Sequence, residues 1–458
     1  MKNKLFAFLL LLSLGVTAAA QKAQPARIDP TEANLRRTIE YLASDKLEGR
    51  RAGKPGATLA AKYVAEQFKN AKLKPGMPGT NGKPSYLQPF SFTPVRDPHG
   101  GTPAEMNTPA KRYDTSNVIG ILPGHDPVLK NEAIVIGAHY DHLGHGGAGS
   151  LAANSTEIHH GADDNASGVA AIIELARLFA SKHQNKRTLI LIAFSGEEEG
   201  LFGSNFYVNN PIFPLEKTVA MINLDMVGRL NDEKLTIGGI GTASEWKELV
   251  QTTNPKAVTE THTVSVGDGM TTTRVDTFSQ PQPLFMLQLN DDGFGPSDHS
   301  SFYGKKIPVL FFFTGTHNDY HKPSDTADKI NYAGEHTVIH YIESIIKAID
   351  ENPQRPTYAV AKSSNTGGRT GFNISLGTIP NYADSTDGLL LDGVREGSPA
   401  AKAGLKAGDK VVKLAGRNIR NVYDYTDTLV DMKAGEEYEI VVLRGGERMT
   451  LMIVPVKR

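Results

Sequence analysis

Residues 188–200 read TLILIAFSGEEEG, a strand-length apolar run that passes directly into three consecutive glutamates. Three glutamates in a row normally form a solvated surface. At the end of a strand that is apolar on both faces they occupy the place where open α/β sheets put their ligand crevices. Similar apolar runs lie at 133–137, 219–224 and 308–313, and apolar residues recur at helical spacing over 31–44, 56–72, 166–179 and 336–349. This alternation predicts an α/β fold, a mainly parallel central sheet flanked by helices on both faces. Residues 75–113 are rich in Pro, Gly and Thr and read mostly as surface loop, with one strand at 86–92.

The chain has 458 residues, with 49 Lys+Arg against 50 Asp+Glu and no cysteine. A net charge of -1 supplies no basic footprint, which argues against a nucleic-acid partner. Without cysteine there is no disulfide, thiolate nucleophile or sulfur-ligated metal, so a metal would have to be held by His, Asp and Glu. Lys2 and Lys4, the apolar run 5–16 and the small residues Ala18 to Ala20 read as an export signal over 1–20. The expected location is periplasmic or secreted, with no stable membrane anchor. Residues 352–368, NPQRPTYAVAKSSNTGG, have the composition of a linker. The predicted division is a signal at 1–20, a large α/β domain at 21–350, a linker at 351–369 and a small β-rich domain at 370–458.

Side chains suited to chemistry gather where the predicted strands end. After the run 133–137 comes HYDH, and in extended chain His139 and Asp141 point to one face. A carboxylate beside a ligating imidazole fixes its tautomer and raises its basicity. GADDNASG at 161–168 precedes an apolar helix and, taken alone, reads as acidic capping. Asp225 ends the run 219–224, and His321 lies in DYHKPSD downstream of 308–313. Together they give a His, an Asp, a Glu, an Asp and a His in order, each near the end of a predicted parallel strand.

These strings resemble the co-catalytic dizinc aminopeptidase family of metallopeptidases. They are HYDH at 139–142, GADDNASG at 161–168, EEEGLFGS at 197–204, NLDM at 223–226, SDHSSFYGKKIPVL at 297–310 and YHKPSDT at 320–326, and the resemblance spans roughly residues 34–350. It implies a zinc exopeptidase fold with two Zn²⁺ per chain, bridged by Asp164. His139 and Asp225 would complete one metal's protein ligands, and Glu198 and His321 the other's. Glu197 would be the general base, Asp141 the partner of His139 and Tyr320 a hydrogen-bond donor to the oxyanion. The implied activity is removal of N-terminal residues from peptides. A carboxypeptidase or dipeptidase on this scaffold is the alternative, with Arg229 or Arg274 binding a substrate carboxylate, and a non-catalytic peptide-binding protein is the second. Phe202, Phe294, Phe302 and Tyr303 are candidate pocket residues, and His159 and His160 border the 143–160 loop.

Residues 371–454 resemble a bacterial PDZ module through LGTI at 376–379, GVREGSPAAKAGLKAGDKVVKLAGRNI at 393–419 and the KAGE turn at 433–436. Ser398-Pro399 would start a short helix that Gly404 ends. Leu376, Gly377, Thr378 and Ile379 would form the loop and strand edge that receive a C-terminal peptide by strand addition.

Overall fold

The computed structural model describes residues 30–79, 83–93, 111–146, 150–152, 155–256, 283–361, 374–380, 387–394, 397–420 and 422–457. The expected export signal lies outside the described residues, as do 362–369 of the linker. Two helices lead, α1 (Pro30–Leu42) and α2 (Pro55–Asn70), the second opened by a proline in its first turn, where no amide is needed. There follow β1 (Lys74–Pro75), β2 (Leu87–Phe92), β3 (Tyr113–Leu122), β4 (Ala133–His139), α3 (Gly168–Lys182), β5 (Thr188–Phe194), α4 (Phe202–Asn209) and β6 (Thr218–Leu224). The α/β domain continues with β7 (Lys234–Gly238), α5 (Trp246–Thr252), β8 (Met286–Leu289), α6 (His299–Tyr303), β9 (Val309–Phe313) and α7 (Tyr332–Glu351).

The strands run in the order β1-β3-β5-β4-β6-β9-β7-β8, with β2 on the outside of β3. The centre, β5-β4-β6-β9, is parallel. Its flanks are antiparallel, at β3 against β5 and β7 against β9. Every residue of β4, β5 and β6 is buried, which is why these strands read as unbroken apolar runs. Alternate residues serve opposite faces: Ile134 and Ile136 join the layer of α1, α2, α3 and α7, while Ala133 and Val135 join a second core with Phe302 and Tyr303.

The structure adds strands that periodicity did not reveal. β3 begins with polar YDTSN and only its second half is an apolar run, because its first half pairs with the outer strand β2. β7 and β8 are short peripheral strands with partly exposed residues. Two of the candidate pocket aromatics are packing residues: Phe302 stacks on Tyr207, and Phe202 lies against Phe92.

Residues 352–361 lie along the amino ends of the parallel strands. Arg187, fully buried, donates to the carbonyls of Ile349, Asp350 and Asn352 and to the Glu132 carboxylate. Further along, Ala359 N donates to the Thr242 carbonyl (2.8 Å) and Ala361 N to the Tyr303 hydroxyl (2.8 Å). Composition alone does not disclose such attachments, since it is blind to where backbone amides find partners.

The C-terminal region contains β10 (Ile374–Ser375), β11 (Thr378–Pro380), β12 (Leu389–Val394), α8 (Pro399–Lys402), β13 (Lys410–Leu414), β14 (Arg417–Asn418), α9 (Val422–Asp431), β15 (Tyr438–Arg444), β16 (Glu447–Ile453) and β17 (Val456–Lys457). Its antiparallel sheet has the order β11-β12-β13-β15-β16. Ser398 caps α8 by accepting from Ala401 N, with Pro399 in the first turn, and Gly404 follows at φ 83. Leu376 is buried in this domain's core, and Thr378 Oγ1 lies 2.6 Å from the Tyr425 hydroxyl of α9. No helix among the described residues is long and apolar enough to cross a membrane.

Candidate metal centre

The carboxyl ends of β4, β5 and β6 meet where the sheet reverses its direction of growth: β5 lies on one side of β4 and β6 on the other. This is the crevice position of open α/β folds. His139 is the last residue of β4, Glu197 and Glu198 follow β5, and Asp225 follows β6. Asp164 lies in the wide, irregular π-type turn Ala162–Ser167 that opens into α3, and its peptide bond to Asn165 is cis. Asn165 ties that turn to the end of β6, donating to the Leu224 carbonyl (3.0 Å) and accepting from Met226 N (3.2 Å). His321 arrives from the segment after β9.

These side chains form two groups that share one carboxylate. His139, Asp164 and Asp225 make the first, and His142, Asp164 and Glu198 the second, with the potential ligand atoms of each group within 4.8 Å of one another. His139 Nε2 is 3.4 Å from Asp164 Oδ1, 3.4 Å from Asp225 Oδ1 and 4.0 Å from Glu197 Oε2. His321 Nε2 lies 3.1 Å from Asp164 Oδ2 and 3.3 Å from Glu198 Oε2. All five residues expected as ligands thus converge on one buried point. Glu197 stands beside them, and Tyr320 stacks on His321 with ring centroids 3.8 Å apart.

Two placements differ from expectation. The Asp141 carboxylate is 3.9 Å from His139 Nδ1, beyond a hydrogen bond, and accepts instead from Glu197 N at 3.2 Å. The imidazole's partner is the Asp141 carbonyl, at 3.2 Å. His142, for which strand alternation gave no role, brings Nδ1 to 2.7 Å from Glu198 Oε1. The strand has ended at His139, so period-two alternation no longer governs where His142 points. Residues that sequence reasoning missed brace the candidate ligands from behind. Ser297 Oγ donates to Asp225 Oδ2 (2.7 Å), and Asp325 Oδ2 accepts from Asp163 N (2.9 Å) and Asp164 N (3.1 Å). Both lie within the quoted strings SDHSS and YHKPSDT, which is the only signal the sequence offers for them. His159 and His160 are held by Ser150 and Asp45, respectively.

Burial sets the electrostatics. It pushes Glu197 well above the usual carboxylate range against the pull of His139, with Glu198 and Asp225 adding to the push. Burial also raises Asp225, and it raises Asp141 to about 7. Against the same burial, His321 and His142 draw Glu198 down to about 2, while Glu198 and Asp164 lift His321 to about 12. Carboxylates are in surplus here, and the three imidazoles of His139, His142 and His321 leave Glu197 and Asp225 short of positive charge. His142 Nε2 and Asp141 Oδ2 are buried without a hydrogen-bond partner among the described residues. A buried nitrogen and oxygen donor set with excess negative charge fits divalent zinc.

Residues 117–346 match the description Peptidase family M28, about half of the chain. The chain belongs to peptidase family M28. Residues 377–454 match a PDZ domain, so this member joins a zinc-dependent peptidase fold to a C-terminal PDZ domain. Among curated relatives, the uncharacterized protein YfbL of Escherichia coli is 31% identical over 212 residues, which cover 43% of this chain and 61% of that protein. Leupeptin-inactivating enzyme 1 of Streptomyces exfoliatus is 27% identical over 215 residues, covering 46% of this chain and 38% of that protein. The chain therefore spans less than two thirds of the length of these relatives. Two solved structures from Bacteroides thetaiotaomicron share the fold at 17% identity and TM-score 0.50, each covering 69% of this chain. One is a leucine aminopeptidase precursor, 96% of which is covered, and the other a glutaminyl cyclase, 97% covered. Equal likeness to both leaves the reaction of this M28 member to be argued from its site.

Proposed function

We propose that this M28 member is an exported aminopeptidase with a two-zinc centre. The observation that carries the reading is the pair of buried donor groups sharing Asp164, with the Glu197 carboxyl, its proton affinity raised by burial, beside them. His139, Asp164 and Asp225 would hold one zinc ion. Asp164, Glu198 and His321 would hold the other, with His142 orienting Glu198. Zinc bound there supplies Lewis acidity, which eases deprotonation of water near neutral pH and polarises the scissile carbonyl. Glu197 takes the proton of the attacking water and delivers it to the departing amine, a role suited to a carboxyl whose proton affinity burial has raised. Asp141 supports Glu197 by accepting from its backbone amide. Tyr320, kept protonated by burial and the neighbouring carboxylates, donates to the developing oxyanion.

The surplus carboxylate oxygens of Glu197 and Asp225 suit a substrate's free α-ammonium. A carboxypeptidase needs instead a cation available for the substrate's terminal carboxylate. Arg229 is committed to Asp319 (2.7 Å) and to the Lys329 carbonyl (2.9 Å), and Arg51 to Glu199 (2.9 Å). Arg274 lies outside the described residues. Retention of both donor groups favours hydrolysis over cyclisation, for which one metal suffices. The segment 1–20 would direct export to the periplasm or beyond, and β11, an edge strand, would receive a C-terminal peptide at Leu376 to Ile379.

The test is hydrolysis of matched peptides with free or acetylated N-termini and free or amidated C-termini, as zinc is titrated into the chelated protein. The expected result is loss on acetylation alone and recovery at two zinc ions per chain. Loss on amidation alone makes it a carboxypeptidase.

A further inference from the structure

Residues Asp45–Arg50 form a short helical turn between α1 and α2, outside every string quoted for the metal centre. Glu48, Gly49 and Arg50 adopt left-handed backbone, at φ 47, 65 and 51. This turn carries Arg50, fully buried, beneath the metal centre. Its guanidinium donates four hydrogen bonds, all to backbone carbonyls. Nε reaches Tyr140 (2.8 Å), Nη1 reaches Leu42 (2.6 Å) and His160 (2.7 Å), and Nη2 reaches Gly161 (2.9 Å). Contacts run the other way as well: His142 N donates to the Arg50 carbonyl (3.4 Å) and Gly144 N to the Gly49 carbonyl (3.0 Å). A Cβ at position 49 would lie 2.5 Å from the His159 carbonyl oxygen, so the approach is open only to glycine.

The loop from Tyr140 to Gly144 carries Asp141 and His142, and the His160–Gly161 segment leads into Asp164. One planar fork therefore joins the loop that follows His139 to the segment that leads into Asp164. A buried cation usually pairs with a carboxylate. Arg50 hydrogen-bonds to none among the described residues, so its charge is left to act on Asp164, Asp141, Asp325 and Glu198, all of which attract it.

We propose that Arg50 is a positioning residue of the metal centre, whose bonds to Tyr140, His160 and Gly161 set the spacing between the chain after His139 and the chain before Asp164, and hence the affinity for zinc. It touches neither metal nor substrate. A lysine would keep the charge but lack the fork that spans three carbonyls. The inference rests on the two-zinc reading of the same site.

The test uses the full chain, with zinc alone as probe, competed against a chromophoric chelator. Arg50→Lys is expected to bind two zinc ions about 10–100-fold more weakly and to lose kcat by a similar factor, with KM little changed. Ile346→Val, a core change in α7, is expected to lower the melting temperature of the metal-free chain while leaving zinc affinity as in the wild type. That contrast separates positioning from general stability. Wild-type zinc affinity in folded Arg50→Lys overturns the proposal. Should Arg50→Lys not fold, Gly49→Ala carries the test, since its added Cβ lifts the same turn from the loops with the guanidinium retained. Weakened zinc binding there supports the proposal, and unchanged binding overturns it. Failure of the underlying reading looks different: the wild-type chain takes up no zinc, or Asp164→Asn binds it as tightly as wild type.

Discussion

At the amino ends of β4, β5 and β6, buried charge meets partners supplied by the chain, whereas at their carboxyl ends carboxylates crowd together and leave positive charge wanting. Arg187 illustrates the first case. It binds the Glu132 carboxylate and three carbonyls near the end of α7, and Asp350 in turn accepts from the amides of Lys186 and Arg187 at 2.7 Å. Arg355 closes the far side of Glu132 at 2.7 Å. Glu132 is consequently held below the usual carboxylate range despite burial, by Arg355 and Arg187. At the other end Glu197, Asp225 and Asp141 are pushed up by burial. The same sheet thus uses one end for stability and keeps the other short of compensation, which is the condition of a site awaiting cations. Folding free energy is small enough that such an unbalanced end must be offset elsewhere in the molecule.

The sharpest way to break this contrast is at the proposed proton carrier, Glu197. Glu197→Gln is expected to retain two zinc ions and to lose about 10²–10⁴-fold in kcat, the usual contribution of a positioned general base. Steady-state kinetics beside metal analysis checks it, and full activity would remove Glu197 from its role. At the opposite end, Arg187→Met strips the Glu132 carboxylate of one of its two arginines and leaves several buried carbonyls unpaired. It should destabilise the chain by about 3–5 kcal/mol in urea titration, with zinc affinity of the folded protein unchanged.

Truncation tests the same end. A chain ending at Ala361 keeps the contacts of 352–361 and should hydrolyse an amino acid anilide at the wild-type rate. One ending at Asp350 loses the Asn352 carbonyl from Arg187 and the Arg355 bridge, and should melt at a lower temperature. Equal melting of the two would show that the segment adds nothing to the α/β domain.

Glu132 at one end and the burial-raised carboxyls at the other also titrate in opposite directions. Burial raises Asp141 and Asp298 to about 7 in the metal-free protein. A carboxyl with a raised folded value binds more protons folded than unfolded, so stability falls as pH rises from about 4 to about 7. Glu132, with a lowered value, contributes fully above its unfolded value of about 4.3 and loses that contribution as pH falls through its folded value. Calorimetry with and without chelator should therefore find zinc raising the melting temperature more at pH 7 than at pH 5. Smallest of all, Arg355→Ala breaks a half-exposed pair and should change stability by less than about 1 kcal/mol, with no effect on zinc.

Much of this molecule is legible without coordinates. The parallel strands announce themselves because residues buried on both faces must be apolar in succession, and the strand 188–194 coincides with β5. The ligand types are equally plain: with no cysteine, only imidazole and carboxylate remain. His139, Glu197, Glu198 and Asp225 stand at or just after strand ends that share one edge of the sheet, whereas Asp164 and His321 come from the turn before α3 and the segment after β9. By contrast, β3 escaped notice because half of it is polar, and His142 because alternation stops with the strand. The bracing by Ser297 and Asp325, the anchoring of 352–361 and the reach of Arg50 into two loops were decided only by tertiary structure. Each is a hydrogen bond between residues far apart in sequence, formed where folding brings a donor to a particular carbonyl or carboxylate. Local periodicity records which face of an element is buried; it carries no record of what that face, or the turn beyond it, will meet.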